Sequence, residues 1–136
     1  MSHTCSTALV RCIDFRLGSA MRDYLNEKNL YNDIDIIAVA GAAKDIAQTD
    51  NSFAQGQVDL SNQLHSTKTV ILMNHTDCGG YGGRSAFSSD QEEYDKHVED
   101  MRAAKEKILA KHEGLEVRLA LAKIGENGNV TIEEIE

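Results

Sequence analysis

Two short motifs, each closing an apolar run, carry the residue types in this chain that can do chemistry. Cys12-Ile13-Asp14-Phe15-Arg16 supplies a sulfur, a carboxylate and a guanidinium, and His75-Thr76-Asp77-Cys78-Gly79 supplies an imidazole and a second sulfur. Two thiolates and one imidazole suit zinc, and His-x-x-Cys spacing lets Cys78 fold back onto the ion that His75 would hold. Three protein ligands with a fourth position open is the pattern of catalytic zinc; a closed structural site would need another Cys or His. Cys5, His3, His65, His97 and His112 are poor candidates for that fourth place, because Cys5 lies seven residues before Cys12, His3 lies at the terminus and the other three fall within or at the ends of helices. Cys5 reads instead as a small core hydrophobe. Asp14 and Arg16 alone would be an ordinary ion pair capping a helix, but beside metal ligands they gain a role in the chemistry. Asp77 reads as a loop carboxylate supporting local turns.

These motifs must be positioned by strands and helices that alternate along the chain. Thr7 to Ile13 is an apolar run without helical period, as expected of a strand covered on both faces. Leu17, Met21, Tyr24, Leu25 and Lys28 follow with helical spacing. Asp33 to Gly41 is a second strand, Phe53, Gln57, Leu60 and Leu64 fit a helix, and Thr69 to Met73 is a third strand. Gly79-Gly80-Tyr81-Gly82-Gly83 is a loop or a tight backbone approach. Ser89 and Glu92 form a capping box for a long helix through Tyr94, Val98, Met101, Ile108 and His112, closed by Gly114 as C-cap. Val117, Leu119 and Leu121 alternate in a fourth strand, and Glu126 to Asn129 turns the chain toward Val130 and Ile132, giving a terminal hairpin. The order predicts an α/β fold with a mostly parallel central sheet, flanking helices and C-terminal hairpin-like strands. In such sheets, binding residues gather at the carboxyl ends of the strands, where Cys12 and His75 both fall.

Composition narrows the function. At 136 residues and 41% hydrophobic, the chain suits one cored domain, residues 1–136. A formal charge of -8 without a Lys/Arg cluster argues against nonspecific nucleic-acid binding. No membrane-spanning run and no signal-like start are visible, so a soluble cytoplasmic protein is expected. Three cysteines are an odd count for a disulfide framework, which leaves thiolates for a metal.

With strands and motifs placed, the residues resemble a known family, the β-class carbonic anhydrases. Its signature is Cys-x-Asp-x-Arg on the first core strand and His-x-x-Cys-Gly after a later one, matched here by Cys12, Asp14 and Arg16 and by His75, Cys78 and Gly79. Val70 to Gly79 resembles the family's strand into the second motif, and Leu119 to Val130 is similar to its closing strand and turn. Phe15 stands where the family usually has a small serine, and Ala38-Val39-Ala40-Gly41 replaces an Arg-Asn-Ala-Gly segment. The first motif begins close to Met1, where the family carries a helical arm, so a reduced version of the fold is expected.

The resemblance implies Zn2+ held by Cys12, His75 and Cys78 and reversible hydration of carbon dioxide to bicarbonate. It implies that Asp14 accepts a hydrogen bond from the zinc-bound water while Arg16 keeps Asp14 ionised; released from Arg16, Asp14 could instead ligate zinc and close the site. Gly79, Phe15 and Val39 are candidate substrate contacts, and a homodimer or larger homo-oligomer is implied. Two alternatives on the same fold are a carbonyl sulfide or carbon disulfide hydrolase and a non-catalytic zinc-binding module for assembly or regulation.

Overall fold

The computed structural model describes residues 3–136. Five strands form one sheet in the order β2-β1-β3-β4-β5: β1 (Thr7–Arg11), β2 (Ile34–Ala38), β3 (Thr69–His75), β4 (Glu116–Ile124) and β5 (Val130–Ile135). The first four are parallel to their neighbours, and β5 returns antiparallel to β4. This is the mostly parallel α/β sheet with a terminal hairpin that the residue pattern predicts.

Period-two alternation divides the apolar residues between two faces. Ala8, Val10, Val70, Leu72, Val117, Leu119 and Leu121 pack on one face against α2 (Ala43–Gln48), α3 (Phe53–His65) and α4 (Asp90–Lys111). Leu9, Ile71, Met73, Ala120 and Ala122 pack on the other against Leu17, Met21 and Tyr24, the last two on α1 (Gly18–Glu27). Covering both faces is why β1 and β3 carry unbroken apolar runs, Ala8 to Val10 and Val70 to Met73.

The helix ends follow local chemistry. Ser52 caps α3 by accepting from the Gln55 N–H at 3.1 Å, and Ser89 caps α4 by accepting from the Glu92 N–H at 3.1 Å. Acidic Asp90, Glu92 and Glu93 in the first turn of α4 complement its dipole.

The structure differs from the sequence pattern in three places. Gly114 does not cap α4: the helix ends at Lys111 and His112 takes the cap, its N–H bonded to Ile108 O and its ring to Asp59 at 2.6 Å. Phe53, Leu60 and Leu64 are exposed, and α3 instead buries Ala54, Val58 and Ser61, small side chains that let it lie close to the sheet. The second strand stops at Ala38, and α2, which has no periodic signature, follows a turn in which Gly41 and Ala42 both have positive φ (81° and 48°). Among the described residues, no helix is long and apolar enough to cross a membrane.

Leu72 lies fully buried at the middle of β3. Leu72→Ala is expected to lower stability by about 2–5 kcal/mol in chemical denaturation, because the cavity cannot collapse between sheet and helices.

Candidate metal centre

The chain leaves β1 toward β2 on one side of the sheet and β3 lies on the other, so a crevice opens past the carboxyl ends of β1 and β3. Parallel register sets Arg11 opposite Met73, so Cys12, just past the end of β1, emerges next to the last two residues of β3, Asn74 and His75. The chain after His75 turns back, helped by a left-handed Asp77 (φ 55°), and brings in Cys78. The donor atoms of Cys12, His75 and Cys78 all lie within 4.8 Å of one another, with the two sulfurs 3.8 Å apart, and all three residues are buried.

His75 tests whether this cluster fits a metal. Its Nδ1–H donates to the Thr76 carbonyl at 2.7 Å, which fixes the tautomer that leaves a bare lone pair on Nε2. That Nε2 is buried and has no hydrogen-bond partner among the described residues, although a buried polar atom ordinarily has one. A cation between the sulfurs and Nε2 would satisfy it. The sulfurs are also charge-biased. The contact between the two sulfurs works to lower the Cys12 thiol and, together with burial, to raise that of Cys78. Burial works to lower the His75 imidazole, but the nearby Cys12 sulfur and the Thr76 carbonyl outweigh it and raise it. Two buried sulfurs beside an imidazole are a donor set for a zinc-type cation.

Two loops close over the sulfurs through glycine. A Cβ on Gly80 would lie 3.0 Å from both Cα and N of Gly41, so the backbones touch there. The Gly41 N–H faces both sulfurs and helps lower each thiol, and the Gly80 N–H does the same for Cys78.

Asp14 stands beside the cluster, its Oδ2 3.7 Å from His75 Nε2. It caps the short 3₁₀ turn Phe15–Leu17 by accepting from the Arg16 N–H at 2.8 Å. The Arg16 guanidinium grips the same carboxylate, with Nη2 2.7 Å from Oδ2 and Nε 3.1 Å from Oδ1, and this contact holds the Asp14 pKa at about 2. Arg16 is itself fixed by Asp77, through Nη1 to Oδ2 at 3.0 Å and Nη2 to the carbonyl at 2.8 Å. Asp77 also accepts from the Arg84 N–H at 2.7 Å, so it supports a local turn as expected and clamps Arg16 besides.

The other candidate residues sit at the margin. Phe15 is 90% exposed and Ile13 64%, Gly79 is exposed with open space where a side chain would be, and Val39 packs with the core on the face of α2, α3 and α4, whereas Cys12 and Cys78 belong to the core on the other face. Behind His75 lies a polar layer that neither motif contains. Asn74 donates to Tyr81 Oη and His97 Nδ1 and accepts from the Ala43 N–H, while buried Glu93 accepts from the Asp77 N–H at 2.7 Å. Burial lowers the His97 pKa to about 4, so that ring is neutral. A signal for this layer exists in the sequence: Glu93, His97 and Asp100 recur at helical spacing on the face that also carries Val98 and Met101.

Comparison with known proteins agrees with the fold. Residues 1–132 match the family described as "Putative carbonic anhydrase". An uncharacterized protein of Rickettsia bellii is 26% identical over 121 residues, covering 82% of this chain and 73% of that one. The β-carbonic anhydrase isoform I of Trichomonas vaginalis superposes with a TM-score of 0.67 at 15% identity, covering 96% of this chain and 83% of that one. Tetrameric β-carbonic anhydrases of Sordaria macrospora superpose at 0.60 and 15% identity, covering 98% and 82%. At such identities the likeness is one of fold.

A carboxyl with a folded pKa below its unfolded value adds stability above the unfolded pKa and loses it as pH falls to the folded one. For Asp14 that window runs from 3.8 down to about 2. Arg16→Gln, in protein prepared without metal, should move the Asp14 carboxyl titration up toward 3.8, read by carboxyl-carbon NMR. An unmoved titration would show that Arg16 is not what holds Asp14 ionised.

Proposed function

The chain belongs to the family described as "Putative carbonic anhydrase", and from that membership we propose that it is a cytoplasmic zinc enzyme hydrating carbon dioxide reversibly to bicarbonate. Cys12, His75 and Cys78 would hold the ion, and Asp14 and Arg16 would orient the nucleophilic water. When bound, zinc supplies a Lewis acid that makes a water acidic enough to act as nucleophile near neutral pH.

The remaining work falls to side chains of this chain. Thr76 takes the Nδ1–H of His75 and so orients the ring with Nε2 toward the sulfurs. Asp14, ionised by Arg16, can only accept hydrogen bonds, so a water beside it turns its O–H to Asp14 and a lone pair toward the substrate. A protonated Asp14 would donate and turn that lone pair the wrong way. Attack forms one carbon–oxygen bond, a π pair of carbon dioxide moves to oxygen, and the water's proton leaves to solvent. Two thiolates would offset the charge of a bound zinc and weaken its Lewis acidity relative to three histidines, an effect that Arg16 and the Gly41 N–H would oppose.

One observation carries the catalytic reading over the closed one. Asp14 is gripped by Arg16, and Arg16 is locked by Asp77, so the carboxylate is engaged beside the donor cluster rather than within it. A closed site would need Arg16 to let go.

The exposure of Phe15 and Ile13 on either side of Asp14 supports a homodimer or larger homo-oligomer in which a second copy covers the mouth of the site. The edge strand β2, paired only with β1 among the described residues, and exposed Ile36 add apolar surface for such an assembly. Light scattering after size exclusion should give a dimer or a multiple of it; an active monomer would contradict this.

Stopped-flow proton release from zinc-loaded protein should exceed the buffer rate in the neutral to alkaline range. Asp14→Asn should lower kcat/KM by about 100-fold or more while zinc content is kept, since loss of a group that orients the nucleophile costs on that order. No rate above buffer, or sulfide release from carbonyl sulfide without hydration, would overturn the assignment.

A further inference from the structure

We propose that the chain carries a second site for a zinc-type divalent cation, built from Cys5, Asp35 and His65 at the end of the sheet opposite the Cys12–His75–Cys78 cluster. The donor atoms of these three residues lie within 4.8 Å of one another, and each residue is half-buried. They come from three separate places: Cys5 just before β1, Asp35 second in β2, and His65 last in α3. The parallel sheet brings the amino ends of β1 and β2 together, and α3 ends above them just before β3 begins.

The thiol is held at this spot rather than passing by it. The Cys5 N–H donates to the His65 carbonyl at 3.1 Å, which ties the segment before β1 to the last residue of the helix. Asp35 Oδ2 lies 2.6 Å from His65 Nδ1 and accepts from Ser61 Oγ at 2.7 Å, and Ser61 and Thr67 share a hydrogen bond of 2.6 Å. Thr67 Oγ1 also lies 3.6 Å from the Cys5 sulfur. The carboxylate and the thiol are therefore oriented by outer partners, Ser61 and Thr67, the support that tightens a metal site. His3 brings a second imidazole to the same place, its ring centroid 4.9 Å from that of His65.

An Asp–His ion pair alone would account for the carboxylate and the ring; the Cys5 sulfur, 3.6 Å from both the Thr7 carbonyl and Thr67 Oγ1, adds a third donor beside them. One sulfur, one or two imidazoles and one carboxylate form a mixed donor set of the borderline kind that zinc and cobalt favour and magnesium or calcium do not. Binding replaces the protons on the Cys5 thiol and in the Asp35–His65 hydrogen bond with the cation, so it releases protons and should weaken in acid. Such an ion would clip the segment before β1 to β2 and α3. It is independent of the proposed catalysis, since none of its residues belongs to the first cluster.

The test is zinc content per chain by mass spectrometry after dialysis, together with the charge-transfer absorption of cobalt-loaded protein. Wild-type protein should hold two zinc ions per chain, and Cys5→Ala or Asp35→Asn should reduce this to one with the far-ultraviolet circular dichroism unchanged. A Cys12→Ser/Cys78→Ser protein should keep one zinc and a thiolate-to-cobalt band that disappears on adding Cys5→Ala. Wild-type protein with a single zinc that Cys5→Ala leaves in place would overturn the proposal, as would a second zinc that survives combined Cys5→Ala and His65→Ala. If the double serine variant does not fold, the comparison of wild type with Cys5→Ala and Asp35→Asn decides alone.

Discussion

The parallel pairing of β1 with β3 is the constraint from which the rest of the site follows. It sets Arg11 opposite Met73, so the residues just past each strand meet at one crevice although they are more than sixty positions apart in the chain. The pairing is buried on both faces, and a register slip would move Ala8 and Val10 to the wrong side of the sheet while separating Cys12 from His75. The same apolar packing that stabilises the sheet thereby fixes donor atoms within a few ångströms, with no flexible loop needed to search for the arrangement. Gly41 and Gly80 then allow the two loops above the strands to touch, a contact that any side chain at Gly80 would push apart.

Charge is arranged around that crevice in a definite order. Arg16 lies between two carboxylates, Asp14 and Asp77, and its own backbone N–H bonds to the first of them. Asp14 follows Cys12 by two positions, close enough for the carboxylate to compete for a cation in the cluster. The guanidinium opposes that competition, and Asp77 keeps it in place by fixing its far side. Asp77 is held in turn by the Arg84 N–H and by Glu93, which reaches up from the first turn of α4. The site is thus braced by a helix distant in sequence from either motif.

Much of this arrangement is legible in the amino-acid sequence. The sulfurs, the imidazole and the Asp–Arg pair stand at strand ends that the apolar runs mark plainly, and the parallel order follows from alternating strands and helices. The rest is hidden for physical reasons. The α2 helix is only six residues long and begins after Ala42 without a side-chain cap, so it leaves no start signal. In α3 the larger apolar residues face outward and small ones face the sheet, because close approach rather than apolar volume decides the packing there. Gly114 is a poor guide to the end of α4, since His112 stops the helix by bonding Asp59 across to α3. The Arg16–Asp77 contact spans 61 positions, and no local pattern announces it.

The central claim is that Cys12, His75 and Cys78 hold a metal while Asp14 stays with Arg16. X-ray absorption at the zinc edge tests it most directly, on a Cys5→Ala protein loaded with a single equivalent near neutral pH. The account predicts two sulfur scatterers and one imidazole, unchanged when Asp14→Asn is added. Fewer than two sulfurs, or a carboxylate scatterer that the Asp14→Asn substitution removes, would contradict it.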